Sequence, residues 1–269
     1  MNREAIDLQY NRDGEKLRLP ERLLLAFCRP IKAPPLPVTT YSYTLDNALD
    51  FSRRMVPDFP ARLRGKTVLD YGCGPGWQAV AMRKAGAGHI CAMDINEGWL
   101  KHGRDLAQSV GVNGITFSKE PDAPGYDAVI SLCSMEHFPD PEGEMLRMAS
   151  LTRGELIITF SECWFSPHGT HLNGTTHLPW LNLMFSERTL MNVRNLYPDG
   201  SDGAKTFAEV RGGLNKMTVA RFERIIHSVP GFRVKYYSLR GVKGFPAVTR
   251  IPVVRELMTS ALTCILCPV

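Results

Sequence analysis

The stretch VLDYGCGPGW, residues 68–77, decides how this chain folds. It reads as a short apolar strand with an acid, Asp70, towards its carboxyl end, followed by Gly72, Gly74 and Gly76 on alternate positions that lead into a helix. Glycines in such a turn let the backbone bend sharply and let a ligand lie directly on the main chain. Because open α/β sheets bind ligands beyond the carboxyl ends of their strands, this stretch predicts a ligand site at the turn.

Strand-like and helix-like segments alternate on the carboxyl side of Gly65. Helices are expected at about 78–85, 98–110 and 142–151, between runs rich in Val, Ile and Leu that are typical of parallel strands buried on both faces. A further helix near 218–228 and two C-terminal strands would complete the sheet. We therefore predict an α/β fold with a doubly wound, mainly parallel sheet of seven strands, which read TVLDYG, HICAMD, GITFSKE, DAVISLC, ELIITFSE, FRVKYYSL and ALTCILC.

The chain divides into four parts around this sheet. Residues 1–64 are expected to form an N-terminal helical arm and a lead-in helix, over about 44–55, that cover the ligand site. Residues 65–160 form the ligand-binding core. Residues 161–215 interrupt the alternation of strands and helices with aromatic, His-rich and Gly-rich sequence. An insertion this long in a compact domain is usually functional, so we predict a lid or substrate wall after the fifth strand. Residues 216–269 add the last two strands to the same domain.

The composition is that of an ordinary globular protein. Of 269 residues, 44% are hydrophobic and 22% are charged, which indicates a chain that folds around its own core. The 32 Lys and Arg and the 27 Asp and Glu leave a net charge of +5 without any basic run, which does not favour nucleic acid as a partner. The seven cysteines follow no secreted-scaffold spacing, and the polar N-terminus resembles neither a signal peptide nor a membrane helix. We expect a cytoplasmic protein with reduced thiols that acts on a small molecule, away from membranes.

A second acid, Asp94, ends the strand HICAMD 18 residues after Gly76. A carboxylate at the tip of the second strand can accept hydrogen bonds from both ribose hydroxyls of an adenosine. Trp77 occupies the position where the dinucleotide fingerprint needs a small residue, so NAD and FAD are disfavoured. The pattern therefore predicts a ligand that contains adenosine and needs no pyrophosphate cradle.

Together these features resemble the class I S-adenosylmethionine-dependent methyltransferases, a family with a Rossmann-like fold. The first motif of that family is an apolar strand followed by D/E-x-G-x-G-x-G, and the second is the acid that ends strand two. The sequence YDAVISLCSMEHF also resembles the strand-four motif of the small-molecule, methyltransferase type 11-like branch, through Asp127, Glu136 and His137. The resemblance covers residues 44–160 well and the two C-terminal strands more loosely. A sulfonium cofactor suits these residues, because acids and aromatic faces stabilise a cation without a phosphate nest.

The resemblance implies a cofactor contact for individual residues. Asp70 would lie near the methionine ammonium group, Asp94 would hold the ribose, and Ile95 would pack on the adenine. The family often has an acid after strand three that meets the adenine amino group, and Glu120 or the equally reachable Asp122 is the candidate here. The remaining implied contacts are a main-chain bed formed by Gly72, Gly74 and Gly76 with Cys73 between them, and an approach of Cys133 and Ser134 to the methionine part and the transferred methyl group.

The insertion after the fifth strand carries candidate catalytic residues. His168, His171 and His177 follow that strand at the edge where the cofactor would lie, and His168 and His171 are the candidate bases. Methyl transfer depends on holding the acceptor lone pair in line with the sulfur–methyl bond, and a base helps a hydroxyl acceptor more than an amine. The alternative is a zinc site that includes Cys163, but the spacings fit structural zinc poorly, so we predict no metal.

For two further residues, His137 and Tyr41, the sequence leaves two interpretations open. His137 is a candidate for proton transfer, or it braces the strand-four loop by hydrogen bonding. Tyr41, in the N-terminal arm, closes the cofactor site or packs as an ordinary aromatic side chain.

The predicted function is transfer of a methyl group from S-adenosylmethionine to an oxygen or nitrogen of a small molecule. One alternative is attack on the aminocarboxypropyl group of the same cofactor with release of methylthioadenosine, because the fold does not decide which carbon faces the nucleophile. Nucleic-acid methylation is less favoured, since SLCSMEH is unlike the N/D-P-P-Y motif and no basic stripe is present. A non-catalytic protein that binds the cofactor also stays open, and no oligomeric state is predicted.

Overall fold

The sheet has the predicted architecture. A computed structural model describes residues 10–11, 13–30, 44–123, 125–242 and 246–269. Its seven strands lie in the order β3-β2-β1-β4-β5-β7-β6, and β7 runs antiparallel to both β5 and β6 while the other neighbouring pairs are parallel. The prediction of a doubly wound, mainly parallel seven-stranded α/β sheet is therefore confirmed. The strands are β1 (Thr67–Tyr71), β2 (His89–Met93), β3 (Ile115–Ser118), β4 (Tyr126–Leu132), β5 (Thr152–Ser161), β6 (Phe232–Gly241) and β7 (Thr259–Pro268).

The helices begin where the sequence supplies side chains that cap them. The side chains of Asn96, Asp140, Ser186 and Thr218 each accept a backbone N–H of the first turn of the helix that follows. The helices are α1 (Leu19–Leu25), α2 (Asp50–Met55), α3 (Trp77–Lys84), α4 (Glu97–Ser109), α5 (Pro141–Leu151), α6 (Leu181–Met184), α7 (Glu187–Arg194), α8 (Val219–His227) and α9 (Pro252–Met258), with short 3-10 turns at Ala61–Leu63, Met135–His137, Pro198–Asp202 and Pro246–Arg250.

The lead-in helix is shorter than the sequence predicts. The apolar spacing favoured a helix over about 44–55, but the α-helix begins only at Asp50. The side chain of Asn47 accepts the N–H of Thr44 at 2.8 Å, and the N–H of Asn47 donates to the Thr44 carbonyl at 3.3 Å. Such local side-chain bonds compete with helical ones, so this segment forms turns instead.

Two apolar layers cover the two faces of the sheet because successive side chains of a strand alternate. In β1, Val68 packs in the layer that contains α3 and α4, whereas Leu69 and Tyr71 pack in the layer that contains α5 and α8. Both layers are fully buried at their centres. The carboxyl ends of β1, β2, β4 and β5 therefore meet at one edge of a rigid sheet.

A third apolar cluster lies apart from the sheet and joins the N-terminal helix to the insertion. Leu24 of α1 is buried with Leu190 and Val193 of α7 and with Phe207. The Asn192 side chain donates to Glu21 at 2.6 Å across the same contact. We call residues 13–30 and 161–215 together the cap.

Among the described residues, every helix is too short or too polar to cross a lipid bilayer.

Candidate functional site

The glycine turn after β1 has the conformation that its sequence requires. Gly72, Gly74 and Gly76 all have positive φ, at 80°, 53° and 82°. A Cβ on Gly72 would lie 2.7 Å from the Ser134 hydroxyl oxygen, and a Cβ on Gly76 would lie 2.8 Å from the Cα of Gly103. Only glycine satisfies both the left-handed conformation and this close packing. Gly74 instead borders open space, since its nearest neighbour would be 4.0 Å away, so its backbone is accessible to a ligand.

Asp94 holds this turn from the end of β2. Its side chain accepts the N–H of Gly74 at 2.9 Å through Oδ2 and the N–H of Asn96 at 2.8 Å through Oδ1. The residue is only 7% exposed. Each carboxylate oxygen can accept a second hydrogen bond, so the oxygens are oriented and still have capacity for ligand hydroxyls.

Asp70 is the first of two buried acids that lack a complete set of partners. It is 1% exposed, and its Oδ2 has no hydrogen-bond partner within the described part of the chain. Burial, reinforced by the negative charge of Asp94, raises the pKa of Asp70 to about 7. A buried carboxylate without partners is costly, and a bound cation would relieve that cost. This position therefore fits the ammonium group of an amino-acid ligand.

Ile95 and Glu120 differ in how available they are. Ile95 follows Asp94 and is 89% exposed, which leaves a large apolar side chain free for a planar ring. The carboxylate of Glu120 lies 2.5 Å from the guanidinium of Arg147, so it is already paired. The alternative acid, Asp122, accepts the hydroxyl of Tyr126 at 2.6 Å.

Tyr41, the remaining predicted cofactor contact, lies outside the described residues.

The loop after β4 approaches the glycine turn. Cys133 has a φ of 55°, and its N–H donates to the Thr159 carbonyl at 2.7 Å. The next residue, Ser134, donates its hydroxyl to the Gly72 carbonyl at 2.9 Å. Burial and the negative charge of Glu136 raise the pKa of the Cys133 thiol, which therefore stays protonated. The Cys133 side chain is therefore uncharged at neutral pH.

Glu136 is the second buried acid. It is 4% exposed, and its Oε2 has no hydrogen-bond partner among the residues described. Burial and then the negative charge of Glu162 raise the pKa of Glu136 to about 8. The side chain is thus largely protonated at neutral pH and retains an unsatisfied polar oxygen at the edge of the site.

The cap holds this loop in place through backbone carbonyls. The Asn215 side chain donates to the carbonyls of Met135 and Phe138, each at 2.8 Å. The Nδ1 atom of His137 lies 2.7 Å from the Gly213 carbonyl. A carbonyl only accepts, so Nδ1 is the His137 nitrogen that donates this hydrogen bond.

His171 lies beside His137 and Glu162. The two imidazole rings are 5.6 Å apart in an edge-to-face arrangement. The Nε2 atom of His171 is buried and lies 3.2 Å from Oε2 of Glu162, although the present ring orientation does not align it for a hydrogen bond. Burial and the neighbouring His137 lower the pKa of His171 to about 4, so it is a neutral base at pH 7.

The predicted histidines do not all converge. His168 is half-buried, and its carbonyl accepts the N–H of His171 at 2.9 Å. His177 is exposed and contacts the guanidinium of Arg29 rather than His137 or His171. Within the described ranges, no group of three or more His, Cys, Asp or Glu side chains is placed to hold a metal ion.

Two residues of this site were missed in the sequence, Glu162 and Asn215. Glu162 directly follows β5, so its place beside Cys133 could have been inferred from the rule that parallel strands end at one edge. No pattern in the sequence points to Asn215, because its role arises from how the cap folds back onto the β4 loop.

The fold and the glycine turn define a class of protein that the comparisons with known proteins identify. The family model described as "Methyltransferase domain" matches residues 45–196, which is more than half of the chain. The protein therefore belongs to this methyltransferase family, and the predicted resemblance is confirmed.

Several relatives share part of the chain. A ubiquinone biosynthesis O-methyltransferase of Neisseria meningitidis is 33% identical over 111 residues, covering 39% of this chain and 47% of that protein. The chain thus matches about half the length of that curated relative. An uncharacterized methyltransferase of Mycobacterium marinum is 26% identical over 76% of this chain and 77% of its own length.

A solved structure supports the fold. The magnesium protoporphyrin IX methyltransferase of Synechocystis, crystallised with bound S-adenosylhomocysteine, superposes with a TM-score of 0.51. It is 18% identical, with coverage of 84% of this chain and 81% of that chain. At this identity the likeness concerns the fold alone.

Proposed function

We propose that this protein uses S-adenosylmethionine to methylate an oxygen or nitrogen of a small molecule. The observation that carries the proposal is the buried Asp70, whose Oδ2 has no partner among the described residues, beside a left-handed glycine turn, with Asp94 oriented at the tip of the next strand. An amino-acid ammonium and a ribose diol are the two groups that satisfy these two acids, and S-adenosylmethionine contains both.

The residues present fit this cofactor along its length. Asp70 binds the ammonium, the backbone at Gly74 forms the bed, Asp94 accepts the ribose hydroxyls, and Ile95 covers the adenine. Cys133 forms the wall near the methionine part. When bound, the cofactor supplies an electrophilic methyl group.

Glu120 stays a proposed contact of the adenine amino group, and Tyr41 stays a proposed residue of the arm that closes the cofactor site. Glu120 reaches a ligand only by sharing its carboxylate with Arg147.

A small-molecule acceptor is favoured by the relatives and by the cap. The printed name of the Neisseria meningitidis relative describes an O-methyltransferase of ubiquinone biosynthesis. In this chain, His171 of the cap and His137 of the β4 loop lie together at the edge where the carboxyl ends of β4 and β5 meet. We assign the cap the role of a wall that positions the acceptor and excludes water, and positioning alone can supply much of the rate.

Calorimetry with S-adenosylmethionine tests the cofactor assignment. The wild-type protein should bind it, and Asp94→Ala should weaken binding by at least about 100-fold, because two hydrogen bonds to a charged acceptor are lost. Asp105→Asn, an exposed acid on α4, is the matched control and should bind normally. Unchanged binding by folded Asp94→Ala would remove the ribose assignment.

Mass spectrometry of the products tests the reaction. S-adenosylhomocysteine together with a methylated acceptor, found by incubating with phenols, catechols, alcohols and amines, supports the proposal. Enzyme-dependent methylthioadenosine would instead show that the aminocarboxypropyl group is attacked. Tight binding without turnover on any acceptor would favour a non-catalytic cofactor-binding protein.

A further inference from the structure

The edge formed by the ends of β4 and β5 concentrates an unusual backbone conformation. Among the described residues, six that are not glycine have positive φ, and Cys133, Glu162 and His171 are three of them. A non-glycine residue in the left-handed region carries a conformational cost that the surrounding structure must hold. Strain of this kind clusters where side chains must be aimed at a ligand.

The side chain of Glu162 is held from two sides. Its Oε1 accepts the Asn173 amide at 3.2 Å, and its Oε2 lies 3.2 Å from Nε2 of His171. The backbone N–H of Glu162 donates to the Ser260 carbonyl at 2.8 Å, which fixes the residue to the start of β7. These contacts orient the Glu162 side chain beside His171.

Three ionisable groups, on the β4 loop and at the end of β5, lie around His171. His137 faces it from the β4 loop, Glu162 faces it from the end of β5, and Glu136 adds a buried acid that interacts with Glu162. Within the described residues, no lysine or arginine pairs with Glu136, Glu162 or His171. The neighbouring acids favour a proton on His171, whereas burial and His137 oppose it.

We infer that Glu162 is the positioning residue of a His171–Glu162 pair that takes the proton of a neutral hydroxyl acceptor. The inference rests on the proposed function and narrows its acceptor to an alcohol or phenol. When the pair is aligned, the Nε2–H of His171 donates a hydrogen bond to the carboxylate of Glu162, and Nδ1 is then the basic atom. The 3.2 Å separation is within hydrogen-bond range, so a rotation of the His171 ring is enough to align the pair.

The proposed step balances in atoms and charge. The acceptor oxygen forms a bond to the methyl carbon as the sulfur–methyl bond breaks, and that electron pair returns to sulfur, which becomes a neutral thioether. The hydroxyl proton moves to Nδ1 of His171. The resulting imidazolium is stabilised by the Glu162 carboxylate until its proton passes to water.

Nuclear magnetic resonance of the cofactor-free, full-length protein tests the pair without any turnover. Long-range proton–nitrogen correlations of ¹⁵N-histidine should show His171 as the neutral tautomer with its proton on Nε2. Glu162→Asn keeps a residue that tolerates the left-handed backbone but replaces the carboxylate with a neutral amide on a side chain one methylene shorter, so the Nε2–H tautomer should lose population. An unchanged tautomer in this variant would overturn the pairing.

Kinetics with acceptors of graded acidity test the chemical role. Glu162→Gln should lower kcat on weakly acidic phenols by about 10-fold or more with little change in KM, and His171→Gln by about 100-fold or more. Both losses should shrink on a nitro-substituted catechol, whose hydroxyl is already ionised near neutral pH. Asp105→Asn serves as the control for loss of an acid.

The outcomes separate this inference from the proposed function. An equal loss of kcat on all phenols would mean a merely structural role for Glu162, and methylation of amines alone would also overturn the inference, while the proposed function would stand in both cases. If no acceptor is methylated, the proposed function fails, and the tautomer measurement still decides the pairing. Should Glu162→Gln not fold, Glu162→Asn provides the kinetic comparison.

Discussion

Gly76 shows how one position serves both the turn and the packing of two helices. It precedes α3 with a φ of 82°, and a Cβ there would meet the backbone of Gly103 in α4 and the ring of Phe117 at 2.8 Å each. Gly111 has a similar φ of 65° but nothing within 4 Å of its missing Cβ. Substitutions at the two glycines therefore distinguish the cost of the left-handed conformation, which both positions have, from the cost of steric overlap, which only Gly76 has.

We predict that Gly76→Ala destabilises the protein much more than Gly111→Ala. The left-handed alanine alone costs about 1–2 kcal/mol, and overpacking at Gly76 adds about 1–3 kcal/mol. Urea unfolding of both variants against the wild type measures the difference. Equal free energies of unfolding for the two variants would show that α3 and α4 do not pack as closely as described.

The spacing of the site residues along the chain explains which of them could be predicted from the sequence. Asp70, Asp94 and the glycines are recognisable because their spacing along one strand–turn–helix unit is local. Glu162 and His171 are 9 positions apart on an irregular segment, and both depend on left-handed conformations that no motif signals. Their proximity follows from the tertiary fold of the cap.

Within the cap, helix α1 packs on the insertion after β5 through a single apolar face. Leu24 is 1% exposed and packs into the third apolar cluster, whereas Leu23, its neighbour in α1, is 52% exposed. The Glu21 carboxylate adds the contact to Asn192 of α7 at 2.6 Å. The attachment of the N-terminal element therefore depends on a few side chains.

Leu24→Ala should loosen α1, and Leu23→Ala should not. Removing a buried leucine side chain costs about 2–5 kcal/mol, while removing an exposed one costs little. Hydrogen exchange followed by mass spectrometry should show faster exchange in residues 19–25 of Leu24→Ala, with the strands of the sheet unaffected. Equal exchange in both variants would contradict the packing of α1 on α7.

The elements of the sheet were predictable because their signal is periodic and local. Runs of buried Val, Ile and Leu, with helices between them, specify parallel strands wherever helices cover both faces. The helix predicted over 44–55 was too long, because a local bond to the Asn47 side chain competes with its first turns. The pairing of α1 with α7 has no local signal, since it joins elements more than 150 residues apart.

At the scale of the whole molecule, two buried acids make stability depend on pH. Asp70 and Glu136 have pKa values raised to about 7 and about 8 by burial, above their ordinary values of 3.8 and 4.5. At pH values between the ordinary and the raised pKa of each group, the folded chain binds more protons than the unfolded chain. The free energy of unfolding therefore falls as pH rises from about 4 to about 8. The contribution of these two acids therefore makes the cofactor-free protein less stable at pH 8 than at pH 5.

Asp70→Asn should therefore stabilise the cofactor-free protein at pH 8. The gain is at most about 4 kcal/mol, the upper limit for moving a pKa from 3.8 to about 7, and it should vanish near pH 4. Thermal unfolding of wild type and variant at both pH values measures it, with Asp105→Asn as the control. A difference in Tm that is the same at both pH values would show that Asp70 is not the titrating group.

The sequence alone determined the class of fold, the family and the positions of the acids and glycines around the proposed cofactor site, because each is encoded in a contiguous strand–turn–helix pattern. Only the tertiary structure decided which histidine meets which acid. Of the candidate histidines, it brought His137 and His171 together, directed His177 to Arg29, and set Glu162 beside His171. The reason is physical: buried polar partners are selected by how distant segments pack, and the spacing of residues along the chain carries no record of that packing.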